Sequence, residues 1–429
     1  MAIKNPRVFI GFYEIAGYNG SLKRGFDELG VDAHFFNLND HLFSYNGTEV
    51  DNRFIRLIKF IDGRAAGGSN RLSAMRSFWM LCYRICTVLL GLWALPRYDT
   101  FIFSFGMSFL RYYDLPVLKF FNKQVIFVYL GSDSRPPYLN RKNYDNSLAI
   151  IIRQSQSMKR DIKTVERYAD YIINHPPTGH FHEREFVQFM KIGIPTCFKA
   201  AEEHAASAAD AGTIRILHAP SHEGKGTDRI RNAVANLELK GYRIEYVEII
   251  NRPNAEVLLE LRRCDFVVDE LYSDTIMARF AAEAAFFSKP AIVGGYAEED
   301  DFGTITTDEM PPVHRCLPED IEAAIEKLIC DVPYRLALGE SAKEFLDRQW
   351  SPRVVAARFL RLISNDIPDD WLYDPRNIRY LHGWGLTDEQ ARTLVRRYIE
   401  AGGTSALQLD DKPRLVERFR EFSCGQGCA

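Results

Sequence analysis

Metal chemistry has little to draw on in this chain. Eight cysteines stand at positions 82, 86, 197, 264, 316, 330, 424 and 428, and with the ten histidines they show no spacing that would build a zinc site. Cys264 and Cys330 sit in apolar, helix-like settings where a free thiol behaves as a small hydrophobe. Cys424 and Cys428 lie close together in a glycine-containing tail that reads as disordered. No Asp-x-Asp arrangement reads as a cation site, so neither a metal nor another cofactor is expected. An excess of one charge is also lacking: 54 Lys and Arg against 57 Asp and Glu leave a formal net charge of -3, which gives no overall attraction to nucleic acid. The spacing of a P-loop is absent, which argues against ATP or GTP hydrolysis of that type. No secretory signal precedes the first expected strand, Arg7 to Gly11, so the cytoplasm is the expected compartment.

A membrane-spanning helix is disfavoured as well. The apolar run from Ser77 to Leu95 approaches the ~20 residues of a bilayer span, but Arg84 near its middle would cost about 2.5 to 3.5 kcal/mol there. This run is expected to pack as core against the first sheet. Just before it, Phe54, Ile55, Ile58 and Ile61 share one helical face, while Arg53, Arg56 and Lys59 recur on another. Arg64, Arg71, Arg76 and Arg84 extend the basic bias. Such a helix can lie in an anionic interface, so residues 53–76 are a candidate for peripheral contact with an anionic membrane; packing on the sheet is the alternative.

With 46% apolar and 26% charged residues, the chain is ordinary globular material, and 429 residues suit two domains plus an extension. The most informative stretch is Ile214-Arg-Ile-Leu-His-Ala-Pro-Ser-His-Glu-Gly-Lys-Gly-Thr-Asp228, where an apolar strand enters a glycine-bearing loop that opens a helix. Backbone N–H groups at a helix start lack partners, the helix dipole is positive there, and Lys225 adds a full charge. Gly224 and Gly226 leave room for a phosphate, and Thr227 is placed to cap the helix. The alternative is a plain strand-to-helix turn with a solvated lysine. Strand and helix patterns then alternate: Arg243 to Ile250, Asn254 to Arg263, Asp265 to Asp269, Ala278 to Phe287. Glu283 is the single acid on the last, small-residue helix, and suits a hydrogen bond to paired hydroxyls such as those of a ribose.

The first half alternates in the same way, through Arg7 to Gly11, Gly20 to Leu29, Ala33 to Leu38, Asp99 to Ser104, Gln124 to Leu130 and Asp170 to Asn174. Open α/β sheets bind ligands at the carboxyl ends of their strands. The loops there are Tyr13 to Gly20, Phe105 to Ser108, Gly131 to Arg135 and His175 to Thr178. Asp133 could accept a proton and Arg135 could hold an anionic group. The expected division is a first α/β domain over 1–198, a linker over 199–212, a second α/β domain over 213–350, a further helix over 351–364, and a helical extension over 365–429. In the extension Thr387-Asp-Glu-Gln390 reads as a capping box, with few strand signals and no chemistry.

Glu283-Ala-Ala-Phe-Phe-Ser-Lys-Pro-Ala-Ile292, with the Lys225-Gly226 loop, resembles the GT-B glycosyltransferases, in particular the large retaining, family-4-like group that includes many bacterial polysaccharide enzymes. The resemblance covers roughly residues 7 to 365 and is topological in much of the first half. It implies two Rossmann-like α/β domains facing a cleft. It also implies transfer of a sugar from a nucleotide-diphosphate sugar to a saccharide or lipid-linked saccharide acceptor, with retention and without a metal. By carry-over Lys225 contacts the donor diphosphate and Glu283 the ribose. His218, Ser221, Gly226, Thr227, Glu270 and Gly17 complete the donor set, Tyr18, Asn19 and Arg135 the acceptor set, and Asp133 and Asp274 the catalytic pair. Two departures stand out: Thr275 replaces the family's first glutamate, and Leu130 replaces its histidine. They leave a non-catalytic relative acting as an assembly subunit as the alternative, with a nucleotide-sugar 2-epimerase behind it.

Overall fold

The computed structural model describes residues 5–38, 49–66, 73–198, 212–250 and 252–424. Apolar runs of the first half form β1 (Val8–Phe12), β2 (Ala33–Asn37), β3 (Thr100–Ser104), β4 (Gln124–Val128), β5 (Tyr171–Asn174) and β6 (Phe186–Gln188). These pair in parallel in the order β6-β5-β4-β3-β1-β2. β1, β3 and β4 are buried at every residue, because helices cover both faces of a parallel sheet; hence their continuous apolar sequence. The helices are α1 (Tyr18–Glu28), α2 (Arg53–Ala66), α3 (Ser73–Ala94), α4 (Leu115–Phe120), α5 (Leu148–Tyr168) and the short α6 (Phe189–Ile192).

A second, all-parallel sheet has the order β11-β10-β9-β7-β8. Its strands are β7 (Ile214–His218), β8 (Ile244–Glu248), β9 (Phe266–Val268), β10 (Ala291–Gly294) and β11 (His314–Cys316). They alternate with α7 (Thr227–Leu239), α8 (Asn254–Arg263), α9 (Arg279–Phe286), α10 (Ile321–Cys330) and α11 (Val332–Phe345). α12 (Pro352–Ile363) then returns to the first sheet, packing so tightly on α1 that a Cβ on Gly25 would fall 2.0 Å from the Pro352 carbonyl oxygen. Strand order reverses between β1 and β3 and again between β7 and β9, so each sheet has a switch point where ligands bind. This is the two-sheet α/β arrangement that the GT-B resemblance implies.

Three expectations change. The extension is not purely helical: besides α13 (Asp388–Gly402) and α14 (Pro413–Cys424) it supplies β12 (Leu372–Tyr373), which pairs antiparallel with β6 at the edge of the first sheet. The Thr387/Gln390 capping box forms as read. Core packing of residues 77–95 holds for Leu90 and Ala94, while Phe78, Leu81, Ile85, Leu89 and Leu92 are 50% to 60% exposed. A single layer of helices covers that side of the sheet, so the outward stripe of α3 has nothing to bury it. Finally, Thr227 does not cap α7; Gly226 is its N-cap. The linker expected at 199–212 falls, but for its last residue, outside the described residues, as do Arg71 and Cys428.

Candidate active site

A cavity of about 210 Å³ opens where the carboxyl ends of the two sheets meet. Tyr18 lines it from the start of α1, Gly131 and Arg135 from the loop after β4, and His175 from the end of β5. Glu270, Asp274, Thr275 and Arg279 line it from the second sheet, and Trp384 from the extension. Arg135 crosses the cleft to grip Asp274 with two hydrogen bonds, Nε to Oδ2 at 2.5 Å and Nη2 to Oδ1 at 2.8 Å. Both side chains are buried, so this bidentate pair fixes one sheet against the other.

Lys225 is not a solvated lysine. Its Nζ lies 3.2 Å from Asp269 Oδ1 and 3.2 Å from Glu270 Oε1, buried between the two acids. The Trp384 indole N–H donates to the other Glu270 oxygen at 2.9 Å. Burial opposes the charge on Lys225, but the two carboxylates outweigh it and hold the ammonium above its ordinary range. Asp269, wholly buried, is pushed up to about 6 by desolvation against the pull of Lys225. Burial also works against an ionised Glu270, but Lys225 and the Trp384 hydrogen bond keep that carboxyl below its ordinary value. One cation thus serves two acids, and Asp269 is the one that protonates first.

Around this pair the loop is built from inside. Gly226 has φ +81°, and a Cβ there would meet the Leu271 side chain at 2.8 Å, so only glycine fits. His218 is fully buried: Nδ1 meets the Val268 carbonyl at 2.7 Å, and Nε2 meets Thr227 Oγ at 3.0 Å. Burial pulls its pKa down to about 4, so Nδ1–H donates to the carbonyl and Nε2 accepts from the hydroxyl. His218 therefore positions Thr227 and the loop rather than lining the cavity, a correction to its placement among direct donor contacts. Ser221 is exposed and borders a second cavity of about 780 Å³ with Gly226, Thr227, Arg229, Tyr272 and Gly385. Glu283 is buried on α9, accepting from Asn254 Nδ2 and Arg279 Nε at 3.0 Å each; burial pushes its carboxyl up.

On the first sheet, Gly17 is the N-cap of α1 and Tyr18 faces the cavity. Asn19 does not: its Nδ2 donates to the Tyr13 carbonyl at 2.6 Å and to Ser104 Oγ at 2.7 Å, which removes it from the acceptor set. The residue that sequence reasoning missed is Glu14. Its carboxylate accepts the backbone N–H groups of Asn19 (3.2 Å) and Gly20 (2.9 Å), filling the anion position at the start of α1. Asp133 likewise turns inward, accepting the Leu130 N–H at 2.9 Å, so it caps its own turn instead of facing a substrate; burial pushes it up to about 7. His175 lines the cavity together with Leu130 and stacks on Phe189 at 4.1 Å; burial, with Arg135 adding, lowers its pKa to about 3, leaving a neutral imidazole.

Glu14 gives a pH-dependent prediction. Burial pushes its carboxyl up to about 7, so the folded chain binds a proton there that the unfolded chain releases nearer 4.5. Its contribution to stability is present below the unfolded value and is lost as pH rises through about 7. Glu14→Gln, neutral throughout, is expected to gain stability relative to the parent as pH rises from 5 to 8, by on the order of 3 kcal/mol, read as a rising difference in melting temperature. Parallel melting curves for the two proteins across that range would refute this environment.

Among the described residues no group of three or more His, Cys, Asp or Glu side chains is gathered to hold a metal. No family profile matches the chain, and no curated protein is significantly similar to it in sequence. Among solved structures, Anabaena Alr3699/HepE in complex with UDP matches over 84% of this chain and 100% of its own, at 10% identity and a TM-score of 0.49. The glycotransferase of kitacinnamycin matches over 85% of this chain and 100% of its own, at 13% identity and a TM-score of 0.43. The glycosyltransferase SnogD from Streptomyces nogalater does so over 84% and 100%, at 13% identity and a TM-score of 0.41. At these identities and scores the likeness bears on neither the chemistry nor the substrate of this chain.

Proposed function

We propose that the chain is a glycosyltransferase that takes a nucleotide-diphosphate sugar at the second sheet and transfers its sugar to an acceptor held by the first. The observation that carries this reading is the meeting of two strand switch points across one cleft, with Glu270 on one wall, backed by the buried Lys225 of the loop before α7, and Tyr18, Arg135 and His175 on the other. Lys225 and the first amides of α7 stabilise the charge that develops on the leaving diphosphate, which makes the reaction independent of a metal. To do so Lys225 exchanges part of its contact with Asp269 and Glu270 for phosphate oxygens. Glu283 turns from Asn254 and Arg279 to the ribose hydroxyls. Neutral His175 accepts a hydrogen bond from the acceptor hydroxyl, in the cavity where Arg135 and Asp274 fix the sheet-to-sheet distance. Retention of configuration, as in the family it resembles, and a saccharide acceptor complete the proposal, with the cytoplasm as the compartment.

A second reading has its own observation: the cations of the cleft, Lys225, Arg135 and Arg279, are each already matched by an internal acid. That is what a non-catalytic relative would retain. A thermal-shift series with UDP, GDP, ADP, CMP, dTDP and their common sugar conjugates separates the two. Transferase chemistry requires stabilisation by one nucleoside diphosphate over the others; a flat response to all of them would transfer the weight to the assembly-subunit reading.

A further inference from the structure

The hairpin of α2 and α3 exposes what a water-soluble surface does not need. Among the described residues, ten exposed large apolar side chains lie on it, from Leu57 and Phe60 on α2 to Met75, Leu92 and Trp93 on α3. On α3, Phe78, Leu81, Ile85, Leu89 and Leu92 recur at three- and four-residue spacing, forming one outward stripe about 21 Å long. The opposite side of the same helix buries Thr87, Leu90 and Ala94. An apolar patch this continuous marks a contact surface. Phe120 and Phe121, 80% and 50% exposed, stand at the end of α4, which packs on the same core cluster as α3.

Charge on the hairpin identifies what meets it. Arg53, Arg56 and Arg64 on α2 and Arg76 and Arg84 on α3 are all exposed, and the Arg64 guanidinium lies 5.1 Å over the Phe60 ring. α3 carries no acid, and α2 carries only Asp62, which is partly buried. We propose that this face lies in the interfacial layer of an anionic bilayer, its apolar stripe among the upper acyl chains and its arginines at lipid phosphates. α3 does not cross the bilayer: Arg84 interrupts it, and its last turns are fixed in the core of the first sheet through Leu90 and Ala94. Nor does a second copy fit. A two-fold pairing sets the same surface against itself, and α3 offers no acid to match the arginines of the other copy.

The hairpin also runs beside the cleft. Asp62 on α2 and Tyr83 on α3 are within electrostatic reach of Tyr13, in the loop whose Ile15 and Ala16 line the cavity. Under the transferase reading this brings a lipid-carried saccharide to the acceptor wall; binding to lipid stands without that reading.

The test is flotation of the full chain with vesicles of phosphatidylcholine, with and without phosphatidylglycerol. Binding is expected to the anionic vesicles and to weaken with salt, with a loss of about fivefold per arginine in Arg76→Gln and Arg84→Gln. Leu81→Ser with Ile85→Ser should lose more than about tenfold, at an unchanged melting temperature because both side chains are exposed. Acyl-brominated lipids should quench fluorescence in the parent more than in Trp93→Phe, which tests the face without disturbing the stripe. Three results would overturn the proposal: a folded chain that ignores both vesicle types, a dimer that the Leu81/Ile85 variant converts to monomer without any lipid effect, or attachment that survives alkaline extraction. None of these depends on nucleotide binding, so the donor-site reading stands or falls separately.

Discussion

Lys225→Met will lower the melting temperature and remove the response to nucleoside diphosphates together, and adding Glu270→Gln will return stability without returning the response. The first effect follows from burial. Lys225 is the cation between Asp269 and Glu270, and its loss leaves two carboxylates uncompensated in a closed site. Breaking a buried pair by removing one partner costs about 3 to 5 kcal/mol, far more than the pair contributes over an apolar replacement. Asp269 already sits near the point of protonation, pushed up to about 6, so the variant's deficit should shrink at pH 5.5 and widen at pH 8. Glu270→Gln removes one of the two stranded charges and keeps an oxygen for the Trp384 N–H, which accounts for the recovery. The nucleotide response stays lost because the diphosphate has no cation at the start of α7. Stability and nucleotide response are thus separable in one series of thermal shifts. A Lys225→Met protein that melts like its parent would refute the buried ion triplet; one that still distinguishes nucleoside diphosphates would refute the donor site.

Local pattern made much of this legible. The strand-loop-helix run from Ile214 to Asp228 follows from apolar alternation, glycines and a helix start, and these act over a few residues. The capping box at Thr387 and Gln390 is a three-residue signal and forms as read. What escaped is what chain distance hides. Trp384 meets Glu270 across 114 residues, and a two-residue strand at Leu372–Tyr373 exists only because β6 offers an edge. Glu14 reads as an ordinary loop acid until α1 folds back over it. α3 shows a different limit: hydropathy records that Phe78, Leu81 and Ile85 are apolar but not which way they face, so a core helix and an interfacial helix share one sequence pattern. His218 and Thr227 sit in the loop that the sequence marks as anion-binding, yet their hydrogen bonds to each other and to Val268 spend them on holding its shape.

Gly383→Val will release the extension from the cleft and cost the protein its fixed closure. Residues 383–385 thread between the two sheets: the Trp384 N–H donates to the Leu139 carbonyl, the Arg141 N–H donates back to Trp384, and the Gly385 N–H donates to the Tyr272 carbonyl. Gly383 makes this passage with φ +73° where a Cβ would fall 2.0 Å from the Leu139 carbonyl oxygen. Gly385 has φ +74°, with Gly224 of the donor loop 3.3 Å from where its Cβ would be. A branched side chain at 383 meets both the wrong backbone region and occupied space, each worth about 1 to 3 kcal/mol, so the strand of hydrogen bonds lets go instead. Hydrogen exchange should then lose protection at 139–141 and 383–388 while β3 and β4 keep theirs. Trp384→Phe makes the smaller change expected of a lost donor to a buried carboxylate, about 1 to 3 kcal/mol, with the passage itself intact. Unaltered exchange at Leu139 and Arg141 in Gly383→Val would show that the extension only rests on the surface. Loss of protection there would mean that the cleft is held from three sides, by Arg135 with Asp274, by Trp384 with Glu270, and by the glycine passage. The ion pair of Arg135 with Asp274 and the hydrogen bond of Trp384 to Glu270 then resist separation of the sheets, and the glycine passage is the third tie across the cleft.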